Sequence, residues 1–412
     1  MATAAKEGRA IAPVDVSREA LYVEDSWREP FKLLRREMPV SYCPESPYGP
    51  YWSVVTHDLV SAVELDHETF SSSWKNGNIT ITDPPPESNL PNFIASDPPV
   101  HTAQRKVIQP AFAPSQMKMR ELQVRERCSY LLDKLPLGET FDWVSQVSIP
   151  QTMGMLCILF GMDPDEEAAD LKRWSDYAGG VSESSNTDEF RAEWMVQMQA
   201  MLARFDELLE ERRQAPPTDD LLSRMVHSDA MGNLTPMERL ANIALLIVGG
   251  NDTTRNSISG LVEALDTYPD QLDALHGDAA LIPNAAQEII RWQSPVLHMR
   301  RTTTRDTELG GQHIPAGEKV VMWYISANRD ESVFPDAEKF DVARSNARRH
   351  LAFGHGIHRC VGARLAEIQI ATIIEEIVAR GWRIVPQGKP TRLASPFLRA
   401  FTEMPVKLEK RG

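Results

Sequence analysis

The sequence predicts a mainly α fold with small β-sheets, and three observations carry that expectation. Between His101 and about Leu265 the composition is helical, broken only at Pro136–Thr140, Gly179-Gly180, Pro216-Pro217 and Gly232-Asn233. The β-prone segments are short and bounded by turn residues. The 412 residues, 42% of them apolar, contain no low-complexity linker. One domain over 1–412 is therefore expected, α-rich over about 100–300 and β-rich over about 35–60, 305–325 and 380–410.

In chain order, Pro39–Tyr42 and Tyr51–Thr56 flank the turn Glu45-Ser-Pro-Tyr-Gly49 and predict two strands, with a helix starting near His57. Phe70–Pro99 is rich in Ser, Asn, Gly and Pro, including Pro84-Pro-Pro86, and predicts a long irregular segment of the kind that often carries function. Thr307–Tyr324, punctuated by Gly310-Gly311 and Pro315-Ala-Gly317, predicts a second region of sheet. Trp382–Val385 with Val406–Leu408 predicts a third. No repeat of fixed period is present.

A formal net charge of -14 and a pI near 5.3 argue against nucleic acid as a general partner. The four cysteines, Cys43, Cys128, Cys157 and Cys360, are far apart and form no C-x-x-C pair, which disfavours a disulfide framework or a zinc site and fits a reducing cytoplasm. Met1–Val14 has no apolar run for a signal or membrane anchor, and the apolar stretch around Ala244–Val248 is too short to span. A cytoplasmic chain without a membrane anchor is the expectation.

Residues 353–362 read F-G-H-G-I-H-R-C-V-G, and the chain from Ala363 to Arg380 has helical composition. Cys360 is thus expected where a tight loop becomes a helix, its thiolate favoured by free N–H groups and the positive end of the helix dipole. Gly354 and Gly356 let the loop close around the sulfur, Gly362 leaves room for a flat cofactor, and Phe353 shields the sulfur. By residue type alone, a buried structural thiol remains the usual fate of a lone cysteine.

The segment resembles the haem-binding signature of the cytochromes P-450, F-G-x-G-x-H-x-C-x-G, at every fixed position. The resemblance implies the triangular-prism helical fold of that family, haem b (iron protoporphyrin IX) as cofactor, and Cys360 as the metal ligand. It extends to Glu288-Ile-Ile-Arg291 and to Arg344, which in the family form a buried cluster supporting the haem loop. His101, Arg105, Arg300 and His358 match its propionate contacts. Gly249-Gly-Asn-Asp-Thr-Thr254 resembles the oxygen-binding part of its long helix. There the two glycines, Asp and Thr predict a local opening of the helix, with Asp252 and Thr253 as the catalytic pair that delivers protons.

The implied reaction is insertion of one atom of O2 into a C–H bond. Nothing in the chain resembles a reductase domain, so a separate ferredoxin with its ferredoxin reductase is expected to supply electrons, steered by Lys106, Lys118, Arg120, Arg348, Arg349, Arg359 and Arg364. Asn76–Ile81, Gly249–Asn256 and Ser294–Arg301 together resemble the bacterial subfamily that hydroxylates the terminal carbon of medium-chain alkanes and fatty acids. Ile247, Val248, Gly249, Val296, Leu297 and Phe397 are expected to line a narrow apolar tunnel for a small linear substrate. The alternatives are a terpenoid or aromatic substrate, a peroxide-driven enzyme, a haem sensor, or a scaffold in which Cys360 is structural.

Overall fold

The computed structural model describes residues 9–83, 89–179 and 187–411. Pro84-Pro-Pro86 and Gly180 lie outside them. The first half begins with helices α1 (Glu19–Val23) and α2 (Arg28–Glu37), the hairpin β1 (Val40–Cys43) and β2 (Tyr51–Val54), α3 (His57–Leu65) and the short β3 (Phe70–Ser71). A run dominated by helices follows: α4 (Val100–Ile108), α5 (Pro114–Leu132), β4 (Thr140–Asp142), α6 (Ile149–Phe160), α7 (Pro164–Ala178), α8 (Asp188–Gln214), α9 (Leu221–Val226) and α10 (Pro236–Thr267). After α11 (Pro269–Gly277) and α12 (Ile282–Gln293) come β5 (His298–Thr303), β6 (Thr307–Leu309), β7 (Gln312–Ile314), β8 (Lys319–Trp323) and α13 (Tyr324–Ala327). The chain closes with α14 (Ala363–Ala379), β9 (Trp382–Pro386), β10 (Thr391–Arg392), β11 (Phe401–Glu403) and β12 (Pro405–Lys410).

The three expected regions of sheet are present, and all are small. The largest has the order β1-β2-β8-β5-β3, with β2 and β8 parallel. A second joins β4, β12 and β9, and β6-β7 and β10-β11 are separate two-stranded ribbons. The sequence did not signal β3, β4 or β5, and within the β-rich span 380–410 it did not mark out the short strands β10 and β11. β5 matters most, because it pairs with β8 through the centre of the large sheet.

The long helix α10 starts at a capping box. The Glu238 N–H donates to the Thr235 hydroxyl at 3.3 Å, and the Glu238 carboxylate accepts the Thr235 N–H at 2.9 Å. One apolar core gathers the C-terminal half of α10, α12, α14, β9 and β12, and a second gathers α6, α7, α8 and α9 against its N-terminal half. The expected opening at Gly249–Thr254 does not occur: α10 runs unbroken from Pro236 to Thr267. Thr253 instead donates its hydroxyl to the Gly249 carbonyl at 3.1 Å, so the side chain that would compete with the helix ladder bonds back onto it. Among the described residues no single helix is long and apolar enough to cross a membrane; the pair Val144–Phe160 and Pro164–Ala178 passes only jointly, across a 107° bend.

Candidate active site

The loop before α14 is folded tightly around Cys360. Its N–H donates to the Phe353 carbonyl at 2.8 Å, and Gly354 and Gly356 take the left-handed φ values of 67° and 64°. At Gly356 any side chain is excluded, since a Cβ would lie 2.6 Å from the Glu64 carbonyl oxygen. Gly362 caps α14, and a Cβ there would stand 3.9 Å from the Cys360 sulfur.

Cys360 is packed round by protein yet exposed, because its accessible surface opens onto a cavity. Burial pushes its thiol pKa up, while the N–H groups of Gly362 and Ala363 and the charges of Arg105 and Arg359 pull it down. Burial wins in the chain itself, contrary to the expectation of a thiolate stabilised by the helix start alone. A cation bound to the sulfur reverses that balance, because coordination deprotonates a thiol.

The cavity measures about 440 Å³. On the side of Cys360 it is lined by Phe353, Gly362 and Leu365, and on the side of α10 by Val248, Gly249, Asp252 and Thr253. His101, Arg105 and His358 line the same space. The His101 and His358 rings lie with centroids 4.3 Å apart, and all four of their ring nitrogens are buried without a partner. Burial and Arg105 lower the His101 pKa to about 4; burial, Arg301 and His101 lower that of His358 to about 2. Buried imidazole N–H groups without partners need acceptors and the arginines beside them favour anionic ones, so the two propionates of a haem would fit here, with Cys360 as the ligand of its iron.

Asp252 is 4% exposed, and burial raises its carboxyl pKa to about 6 against the opposing charge of Arg255. Arg255 pairs with it at 3.0 Å and approaches Asp176 at 4.0 Å. Asn251 donates to Asp252 at 2.9 Å and to Ser175 at 3.1 Å, and its own oxygen accepts from Thr152 at 2.8 Å.

Glu288, Arg291 and Arg344 form one buried cluster. Arg291 reaches both Glu288 oxygens at 2.7 Å, and Arg344 reaches one at 2.9 Å. The remaining guanidinium donors satisfy carbonyls at Asn328, Pro335, Asp336, Ala337 and Lys339. Asn328 in turn accepts the Leu351 N–H at 2.6 Å, which connects the cluster to the cysteine loop.

Three expected cavity residues point elsewhere. Arg300 turns to the opposite side of β5, where it pairs with Asp83, and its neighbour Arg301 lines the cavity instead. Leu297 is fully buried in the core beside Trp27, Phe31 and Trp323, whereas Val296 and Phe397 do face the cavity. Ile247 lies off the Ala241–Leu245–Val248–Asp252 stripe of α10 and packs into the helical core. Leu90, Phe93, Trp194, Leu245 and Met299 also line the cavity.

The family model described as Cytochrome P450 matches residues 181–400. The chain belongs to the cytochrome P450 family. Like the named members it resembles, it is a P450 monooxygenase, and haem b is its cofactor. Linalool 8-monooxygenase of Pseudomonas putida is 39% identical over 96% of this P450 and 98% of the relative. The methyl-branched lipid omega-hydroxylase of Mycobacterium tuberculosis is 35% identical over 91% of this chain and 90% of its own. Among solved structures, cytochrome P450-153 from Novosphingobium aromaticivorans superposes with a TM-score of 0.91 at 49% identity, covering 96% of this P450 and 99% of that chain. The resident reaction therefore takes O2 and electrons from a redox partner.

Proposed function

We propose that this P450 hydroxylates the terminal methyl group of medium-chain alkanes, fatty acids or related linear apolar chains, with electrons from a ferredoxin and its reductase. The observation that carries this reading is the character of the cavity wall. Leu90, Phe93, Leu245, Val248, Val296 and Phe397 make it apolar. Among the described residues its charged side chains are Asp252, Glu64, Arg105 and Arg301, with Arg301 paired to Glu64 and Arg105 bonded to the cysteine loop, and the imidazoles of His101 and His358 lie neutral among them. A terminal C–H bond is stronger than its methylene neighbours, so selectivity for it must come from a passage that admits the chain end first.

Haem iron held by Cys360 supplies dioxygen activation and C–H oxidation. His101, Arg105, His358 and Arg301 hold the propionates, and Glu288, Arg291 and Arg344 brace the segment that precedes the cysteine loop. The Asp252 carboxyl, its pKa raised to about 6, takes up and gives back a proton at the cavity wall, Arg255 stays charged and holds it beside Asp176, and Thr253 hands protons on within the cavity. Gly249, which has no side chain, leaves space beside Thr253.

The electron donor is read from exposed cations. Lys106, Lys118, Arg348, Arg349 and Arg359 are exposed, on α4, α5 and the segments before Cys360, and none of them forms an ion pair among the described residues. Two of the expected cations do not contribute freely. Arg120 is 6% exposed, because it lies on the buried Met117–Arg120–Val124 stripe of α5, and Arg364 pairs with Glu367 at 3.0 Å.

The test is reconstitution with a ferredoxin and its reductase on octane, decanoate and linalool. Predominant 1-octanol or 10-hydroxydecanoate supports the reading, and internal alcohols from both linear chains overturn it. The similarity to linalool 8-monooxygenase favours a second reading, a branched acyclic terpenoid as substrate. A low-spin to high-spin shift and turnover with linalool but with neither linear chain would select it.

A further inference from the structure

Besides Asp252, the described cavity lining contains one other carboxylate, that of Glu64. Its side chain is 1% exposed and sits in the last turn of α3, where a negative charge meets the negative end of the helix dipole. Tyr324 donates its hydroxyl to Oε1, and Arg301 donates from Nη2 to Oε2 at 3.3 Å. The cysteine loop closes over the other side: a Cβ on Gly354 would stand 3.5 Å from Oε1, and one on Gly356 would stand 2.6 Å from the Glu64 carbonyl oxygen. A charge is thus built into the wall behind the loop that carries Cys360.

Stability gives little reason for it. A buried ion pair is commonly no more stabilising than apolar residues of the same size, and here the pair also divides the Arg301 charge between Glu64 and the rim of the cavity. The effect felt at the iron is different in kind. Reduction of iron(III) to iron(II) adds one negative charge and breaks no bond, so a fixed carboxylate in a low-dielectric wall opposes it.

We propose that Glu64 is a positioning residue for electron uptake: its carboxylate, fixed by Tyr324 and Arg301 against the cysteine loop, holds the haem iron in the oxidised state more firmly. This rests on Cys360 as the ligand of haem iron, which the reduced carbon monoxide spectrum of each variant checks separately from the potential. The measurement is a dithionite titration with redox mediators on the substrate-free holoenzyme, for the native protein, Glu64→Gln and Tyr324→Phe. Glu64→Gln removes the charge and should move the midpoint potential upward. Tyr324→Phe keeps the carboxylate but takes away a neutralising donor and should move it downward. Where Glu64→Gln retains haem, its result decides, and a potential equal to or below the native one overturns the proposal. Where it does not, Tyr324→Phe decides, and a potential equal to or above the native one overturns it.

Discussion

Arg300 and Arg301 are adjacent on β5 and serve opposite faces of it: Arg301 lines the cavity, while Arg300 pairs with Asp83 on the irregular segment outside. Loss of Arg301 should cost a charge-assisted hydrogen bond to a propionate, about 1.5–3 kcal/mol, or roughly ten- to a hundredfold in haem retention. Arg301→Ala should therefore lose haem to apomyoglobin faster than native protein. Arg300→Ala should keep its haem and bind substrate more weakly, because Thr82 and Asp83 lose their partner. The reverse ranking in haem-transfer rates would refute the assignment of Arg301.

Asp252→Asn should trade activity for stability. Burial raises the folded-state pKa from 3.8 to about 6, so between those values the folded chain binds the proton that the unfolded chain releases. Stability then falls as pH rises from about 4 to about 6, and at pH 7 the ionised carboxylate costs on the order of 1–3 kcal/mol. The amide removes that cost and cannot carry a proton. Thermal unfolding should shift upward by a few degrees at pH 7 and little at pH 4, while turnover falls roughly a hundredfold or more. A variant no more stable than native at pH 7 would contradict the burial argument.

Features written into short stretches of sequence were legible: the cysteine loop, the Glu288–Arg291 spacing and the helical bulk. Side-chain direction within unrecognised elements was not. Without β5 in view, two adjacent arginines could not be told apart, although strand alternation allows only one of them to face inward. Arg120 reads as a surface cation until the phase of α5 puts it on the stripe of Met117 and Val124. The Asp252-Thr253 pair reads as a helix breaker, yet Thr253 finds its acceptor within α10 itself. Contacts between segments far apart in sequence, such as Glu64 with Tyr324, leave no local trace.

Charge reversal on the cysteine side should act on encounter with the donor rather than on chemistry. Arg349→Glu combined with Lys118→Glu should slow ferredoxin-driven turnover several-fold at low salt, with the difference shrinking as ionic strength approaches 0.5 M, where the Debye length falls to roughly 4 Å. Peroxide-driven turnover, which bypasses the donor, should be unchanged. Equal rates for the variant and native protein at low salt would remove the electrostatic role.

His298 ties together two segments that line the cavity. Its Nδ1 donates to the Pro396 carbonyl at 3.0 Å, and its Nε2 accepts the Ile81 N–H at 3.1 Å, so one neutral tautomer joins the segments that carry Ile79 and Phe397. Burial lowers its pKa to about 3, with Lys319 and Arg300 adding to the effect and the Pro396 carbonyl opposing it. The imidazole therefore stays neutral, and its contribution to stability is complete above the unfolded value near 6.5 and declines as pH falls toward 3. His298→Leu keeps an apolar side chain between Trp323 and Phe397 but leaves the Ile81 N–H and the Pro396 carbonyl without their partner, at about 1–3 kcal/mol for each group that stays buried. Both segments should loosen where they face the cavity. Haem content and the carbon monoxide spectrum should be native, while the share of internal alcohols from octane rises and binding of octane weakens. An unchanged product ratio would mean that the passage is held by its apolar packing alone.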